Sequence, residues 1–219
     1  MALAVVAAVG MMFLPPIPQN DAYHHFAGES TLPNVLSNLP FIAVGIYGLL
    51  GWKRMGWEWR AVSIGAVLIG FGSGYYHAAP SNDSLYWDRL PMTIAFTGVF
   101  AAIIHDRTRV RVLVPLIVAG IASVEVWRQT GDLRFYGFIQ FFPAIGLPYL
   151  LLAFPPREMP NKPLWAMSAC YVLAKVLEAG DAPVYEWTGH WVAGHAIKHL
   201  AGAAALYFPL RSAGNGTGR

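Results

Sequence analysis

The pattern of apolar and polar positions divides the chain into long hydrophobic runs, separated by short stretches that hold most of the charged residues. A helix needs about 20 mostly apolar residues to cross a bilayer, within a range of roughly 17 to 25. Runs of that length predict an all-α polytopic membrane protein in which residues 1–219 form a single transmembrane domain. The eight candidate spans are residues 2–18, 35–52, 60–78, 89–105, 110–127, 137–154, 164–179 and 189–210.

The first of these runs could also be a cleaved signal peptide. It has no basic residue near its start and no clear small-residue cleavage site before Pro15 and Pro16, and both features are expected of a signal peptide. We therefore expect residues 1–18 to form an extra N-terminal helix that is retained. Residues 35–210 then form a seven-helix transmembrane core.

Composition agrees with a membrane protein. Hydrophobic residues make up 56% of the chain and charged residues 12%, whereas a soluble domain carries about 25% charged residues. The single cysteine, Cys170, excludes an intramolecular disulfide and a zinc site built from cysteines. The formal net charge of +3 is spread over the loops, so the sequence has no basic patch typical of nucleic-acid-binding proteins.

Lysine and arginine residues in the loops predict the orientation, because cytoplasmic loops are richer in these residues. One side would carry Lys53, Arg54, Arg60, Arg107, Arg109, Arg111, Arg157, Lys162, Arg211 and Arg219, and the other only Arg89, Arg128 and Arg134. The richer side is therefore cytoplasmic, which places the C-terminus inside. The short loops and compact size favour a prokaryotic inner membrane.

Five polar residues lie in or beside these apolar runs, where ionisable groups are costly and usually functional. His195 and His199 are four residues apart and so project from one face of a helix. His77 ends another run, Ser73 lies one turn before it, and Asp88 follows at the start of the next span. The predicted topology brings all five to the outer leaflet. Because the orientation rests on the loop charges alone, the convergence of these five residues supports it independently.

Three histidines from two helices are a typical ligand set for catalytic zinc, which keeps a fourth position for water. We therefore expect His77, His195 and His199 to hold a zinc ion that activates water and polarises a carbonyl oxygen. Asp88 would act as the general base and then pass a proton to the leaving amine. Ser73 would donate a hydrogen bond to the developing oxyanion or to the bound water. This constellation favours hydrolysis of an acyl bond in a lipid.

Each of these residues also has a purely structural interpretation. A lone histidine within the membrane can link two helices by a hydrogen bond. Ser73 can be a small packing residue beside Gly72 and Gly74, and Asp88 can cap the start of its helix. The convergence of three histidines with one carboxylate favours the metal site.

Three further charged residues lie in the last two spans. Lys198 is next to His199 but is expected to point to another face of the helix, where it snorkels or pairs with a carboxylate. Lys175 and Glu178 are three residues apart and are expected to form an ion pair. None of the three is predicted to take part in the reaction.

Several short motifs resemble those of the alkaline ceramidase family, which lies within a superfamily that also includes the adiponectin receptors. They are Ser73-x-x-x-His77, Asp88-Arg-Leu-Pro-Met92 and His195-x-x-x-His199, with Asn34-Val-Leu-Ser37-Asn38 resembling the opening motif of the family. The last of these could instead cap the first core span.

The resemblance implies a bacterial-type member of that family with a seven-helix core. It implies a zinc ion held by His77, His195 and His199, with Ser73 and Asp88 assisting the reaction. The expected reaction is hydrolysis of the amide bond of ceramide-like lipids to a sphingoid base and a fatty acid. The expected partners are the membrane and a ceramide-like or other N-acyl lipid.

The stretch before the first core span departs from the family. Animal alkaline ceramidases have a calcium site built from several carboxylates there, whereas residues 21–29 hold only Asp21 and Glu29, at a different spacing. Calcium is therefore disfavoured as a second metal. His24 and His25 in the same stretch are expected to be loop residues.

Two other functions compete with the hydrolase. A receptor or sensor of the same superfamily would keep the zinc for structure, and the lack of a large soluble signalling domain argues against it. A transporter would use the buried histidines and Asp88 as a proton relay. Neither an inverted repeat nor paired broken helices, which are typical of transporters, can be detected. The zinc-dependent lipid amidase is therefore the favoured interpretation.

Overall fold

The computed structural model describes residues 10–27 and 31–215. This part of the chain is helical and contains no β-strand, which confirms the predicted all-α class. Two short 3-10 turns, Asp21–His24 and Trp52–Arg54, accompany the α-helices. The α-helices are α1 (Thr31–Leu36), α2 (Leu39–Leu50), α3 (Trp57–Ala78), α4 (Asn82–Thr108), α5 (Leu113–Thr130), α6 (Arg134–Ala153), α7 (Asn161–Ala179), α8 (Asp181–Trp187) and α9 (Gly194–Asn215).

Within the described ranges, three segments are long and apolar enough to cross a membrane. They are Leu32–Leu50, which covers most of α1 and all of α2, together with α4 and α6. These segments support association with a membrane. The transmembrane assignment of the other helices in the seven-helix core stays a prediction.

The helix bounds differ from the predicted spans in three places. The run predicted over 35–52 is broken between Leu36 and Leu39, and the span predicted from 189 begins only at Gly194. Helix α4 begins at Asn82 instead of 89, because Ser81 and Ser84 form a reciprocal capping box at its start.

Residues 2–9 of the N-terminal helix predicted over residues 2–18 lie outside the described residues. Its C-terminal end was predicted wrongly, since the chain is no longer helical at Pro15–Pro18. Proline lacks an amide hydrogen, so three prolines within four residues cannot continue a helix. The segment instead lies against the turn between α5 and α6, where the Leu133 amide donates to the Ile17 carbonyl at 2.8 Å.

Close packing of α3 on α4 brings together the residues of the central site. Helix α3 also contacts α2, while α9 packs mainly against α7 and α2. A Cβ atom at Gly65 would lie only 3.0 Å from the Ala95 backbone nitrogen, and one at Gly72 would collide with the Trp87 carbonyl. These glycines therefore allow the two backbones to approach, as small residues do where helices pack closely.

Candidate metal centre

Three histidine rings meet in a buried cluster between α3 and α9. His77 lies in the last turn of α3, while His195 and His199 lie in the first turns of α9. Their ligand nitrogens all lie within 4.8 Å of one another, and the Nε2 atoms of His77 and His195 are 3.3 Å apart. Two nitrogens bound tetrahedrally to one zinc ion at its usual bond length would be separated by about 3.4 Å. The three histidines expected from the sequence could therefore hold a metal ion.

The surroundings of the rings also fit a cation. The Nδ1 atom of His77 is buried and has no hydrogen-bond partner among the described residues. Its Nε2 atom faces the same atom of His195, and two facing imidazole nitrogens can share only one proton. A donor set of three imidazoles suits zinc better than magnesium or calcium, which prefer oxygen ligands.

Ser37 determines which nitrogen of His199 is free to bind the metal. The Ser37 hydroxyl donates its proton to the Asn34 carbonyl at 2.9 Å, and it lies 2.8 Å from His199 Nδ1. Because a hydroxyl has a single proton, it must accept a hydrogen bond from Nδ1. The Nε2 lone pair of His199 is then available to a metal, which is the usual role of such an outer hydrogen bond. The alternative of a helix cap at Asn38 is not supported, since its side chain makes no capping hydrogen bond.

We predict that Ser37→Ala weakens metal binding by about 10- to 100-fold, the usual cost of losing an outer partner of a ligand. The affinity can be measured by competition with a chromophoric chelator. The control is Ser123→Ala, which removes a buried hydroxyl that bonds only within α5. An unchanged affinity in Ser37→Ala would show that this hydrogen bond does not orient His199.

A carboxylate and an aromatic ring hold the first turn of α9 and cover the histidines. Asp181 accepts hydrogen bonds from the amide of His195 at 2.6 Å and from the amide of Ala27 at 2.8 Å. The segment 21–27 is thereby joined to α9. The Phe26 ring packs against the rings of His77 and His195, with centroids 4.8 and 4.5 Å away. Phe26 thus shields one side of the cluster from water.

The expectation that His24 is a simple loop residue was wrong. Its Nδ1 atom lies 3.0 Å from the Tyr76 hydroxyl, and its Nε2 atom lies 3.1 Å from Asn82 Oδ1. His24 therefore ties the segment that covers the site to α3 and α4. Of the two carboxylates considered for calcium, Asp21 is exposed and Glu29 lies outside the described residues.

Asp88 and Ser73 lie together on the wall of the cavity that reaches the histidines. Ser73 is one turn before His77 on α3. Both residues are buried. Asp88 lies well inside α4, whose start is capped by Ser81, so the alternative role of Asp88 as a helix cap was wrong.

Lys198 pairs with a carboxylate, as expected, but it points toward the site and not to another face of the helix. Its Nζ atom lies 3.0 Å from His195 Nε2 and donates to Glu178 Oε1, also at 3.0 Å. Glu178 receives a second hydrogen bond from Lys175 Nζ at 2.6 Å, which confirms the expected ion pair. A lysine three residues after His195 lies on nearly the same face of the helix, and this spacing was the signal that could have identified it.

A cavity of about 690 Å³ extends from the histidines between α3, α4, α6, α7 and α9. This volume is within the 300 to 1,000 Å³ typical of pockets for small molecules. Helices α6 and α7 both line it and hardly touch each other. Most of the wall is apolar and includes Phe96, Phe100, Leu147, Trp165, Met167 and Leu206.

The sequence matches a family model described as Ceramidase over residues 22–176, which is more than half of the chain. The match includes Ser73, His77 and Asp88, while His195 and His199 follow its end. No curated protein and no solved structure matches the chain.

Proposed function

The chain belongs to the ceramidase family, and we therefore propose that it is a zinc-dependent amidase that hydrolyses ceramide-like N-acyl lipids within a membrane. The observation that carries the proposal is the position of the histidine cluster at one end of a large apolar cavity, whose wall includes His195 and His199. Histidines without substrate access would indicate a structural ion. A metal site that opens into a cavity with room for an acyl chain indicates catalysis.

The form of the cavity supports a lipid substrate. Its walls are mostly apolar, while its charged groups are confined to the end that holds the histidines. An acyl chain can therefore lie along the apolar part with its amide bond at the polar end. The sparse contact between α6 and α7 offers a path from the bilayer into the cavity.

We assign zinc to His77, His195 and His199 because all three donors are imidazole nitrogens. When bound, the ion would supply Lewis acidity that activates water and polarises the carbonyl group. Ser37 and Asp181 support this arrangement, since they orient His199 and the first turn of α9. Phe26 limits the access of bulk water from one side.

Asp88 carries the proton transfers in the proposed mechanism. Its carboxylate takes a proton from water as the water oxygen adds to the amide carbon, and the carbonyl becomes an oxyanion. The oxyanion then re-forms the carbonyl, the C–N bond breaks, and Asp88 returns the proton to the amine nitrogen. The products are a fatty acid and a sphingoid base. Ser73 lies on the same cavity wall and would orient Asp88.

We further propose that residues 35–210 form the seven-helix transmembrane core of a single domain. The loop charges support a cytoplasmic C-terminus, because lysine and arginine collect on that side. His77 and His195 then lie in the outer leaflet, where a lipid substrate can enter from the membrane.

The proposal is tested by incubating the full-length protein with ceramide in lipid nanodiscs and measuring released fatty acid by mass spectrometry. We expect release that stops when a chelator removes the metal and returns when zinc is added. Magnesium and calcium serve as controls and should not restore it. Zinc-bound protein that releases no fatty acid from ceramide or any other N-acyl lipid would overturn the hydrolase assignment and favour a receptor.

A further inference from the structure

We propose that Lys198 is a catalytic residue that donates a hydrogen bond to the oxygen of the scissile carbonyl as negative charge develops on it. The proposal rests on the amidase function and assigns this task to a residue other than Ser73. It follows from how the hydrogen-bond donors at the polar end of the cavity are used.

Ser73 and Asp88 both lie on the wall of the cavity. A serine hydroxyl carries one proton, and a carboxylate can only accept. Ser73 can therefore supply at most one donor to the reacting group, whereas the ammonium group of a lysine carries three.

Lys198 has hydrogen-bond donors at the polar end of the cavity, beside His195. An ammonium group carries three N–H donors, and Lys198 directs one to Glu178 and one to His195 Nε2. In the zinc-bound protein the His195 lone pair would be used by the metal, so the second N–H would lose His195 as its acceptor and could donate to the substrate. The third has no acceptor among the described residues.

The position of the ammonium group is held before substrate binds. Glu178 bonds Lys198 on one carboxylate oxygen and Lys175 on the other. The side chain of Lys198 is only 17% exposed, so water competes little for its donors. A charged donor fixed in a poorly hydrated site is the arrangement that stabilises a developing oxyanion most strongly.

Asp88 and Lys198 both line the polar end of the cavity. The carboxylate can take the proton of the attacking water, while the ammonium group meets the oxygen that becomes negative. The two charges thus match the two sites at which charge changes during amide hydrolysis.

The kinetic test compares Lys198→Met, Lys198→Arg and the control Lys162→Met in zinc-loaded protein with ceramide. Lys162 carries the same charge but lies exposed at the far end of α7. We expect Lys198→Met to lose about 100-fold in kcat, as for the loss of other oxyanion donors, with its zinc content retained and KM little changed. Lys198→Arg, which keeps N–H donors, should recover part of the loss. A wild-type kcat in Lys198→Met, or loss of its zinc, would overturn the assignment.

A binding test in metal-free protein needs no turnover. We compare the affinities of a long-chain fatty acid and of the fatty alcohol of the same length, since only the acid offers an anionic oxygen. The wild-type protein should prefer the acid, and Lys198→Met should lose about tenfold or more of that preference, as expected for a hydrogen bond to a charged group. The Lys162→Met protein should keep it. An equal preference in Lys198→Met and wild type would contradict the proposal.

The two tests separate failure of this inference from failure of the proposed function. A wild-type protein that hydrolyses no N-acyl lipid would overturn the amidase assignment. The binding test would still decide whether Lys198 donates a hydrogen bond to an acyl oxygen. If the wild-type protein and the Lys198→Met variant are equally active, only the role of Lys198 is overturned.

Discussion

Replacing His199 with alanine is expected to remove both the bound metal and the hydrolytic activity. His199 supplies one of the three converging ring nitrogens, and Ser37 orients it. Loss of a ligand should weaken zinc binding by more than the roughly 10- to 100-fold that loss of an outer partner costs. Zinc content, measured by plasma mass spectrometry, and fatty acid release from ceramide should therefore both fall to background.

The matched control is His105→Ala, which makes the same substitution in α4. His105 pairs with Glu58 at 3.2 Å and is not part of the histidine cluster. This variant should keep its zinc and its activity. Full zinc occupancy in His199→Ala would contradict the ligand assignment. Equal losses in both variants would indicate damage to the fold instead of loss of a ligand.

The bounds of a helix could be predicted from hydropathy where the apolar run ends close to the residues at which the helix ends. The run predicted over 60–78 corresponds to α3 (Trp57–Ala78), because apolar residues continue to the polar turn on either side. The break between Leu36 and Leu39 could not be predicted in this way, since the residues around it stay mostly apolar. Asn34 and Ser37 bend the chain there by bonding locally and to α9, and a hydropathy pattern does not contain such contacts.

The ligand set could be predicted because its signal is chemical. Placing imidazoles in apolar runs costs free energy. Three of them therefore indicate a shared partner such as a metal ion. The helix face of Lys198 was predicted wrongly because the prediction considered its position relative to the adjacent His199 and not relative to His195. A residue three positions away is displaced by only about 60° around the helix axis, so Lys198 and His195 share a face. Its link to Glu178 depends on the packing of α9 against α7, which the sequence alone does not reveal.

Asp88→Asn is expected to lower kcat by about 10²- to 10⁴-fold, the usual contribution of general acid–base catalysis, while the protein keeps its zinc. Asparagine has nearly the same shape, and its side-chain oxygen can still accept a hydrogen bond. It cannot take a proton from water at neutral pH, so only the proton transfers are lost. Single-turnover release of fatty acid from ceramide, together with zinc analysis of the same sample, measures both quantities.

The control for Asp88→Asn is Asp83→Asn, an identical change in the first turn of α4 at an exposed position. It should leave the rate unchanged. Ser73→Ala should also keep its zinc but lose less rate than Asp88→Asn, because Ser73 orients the carboxylate and transfers no proton. A normal rate in Asp88→Asn would exclude Asp88 as the base. Loss of zinc from that variant would instead place Asp88 among the groups that hold the metal, since the two roles predict opposite outcomes for metal content.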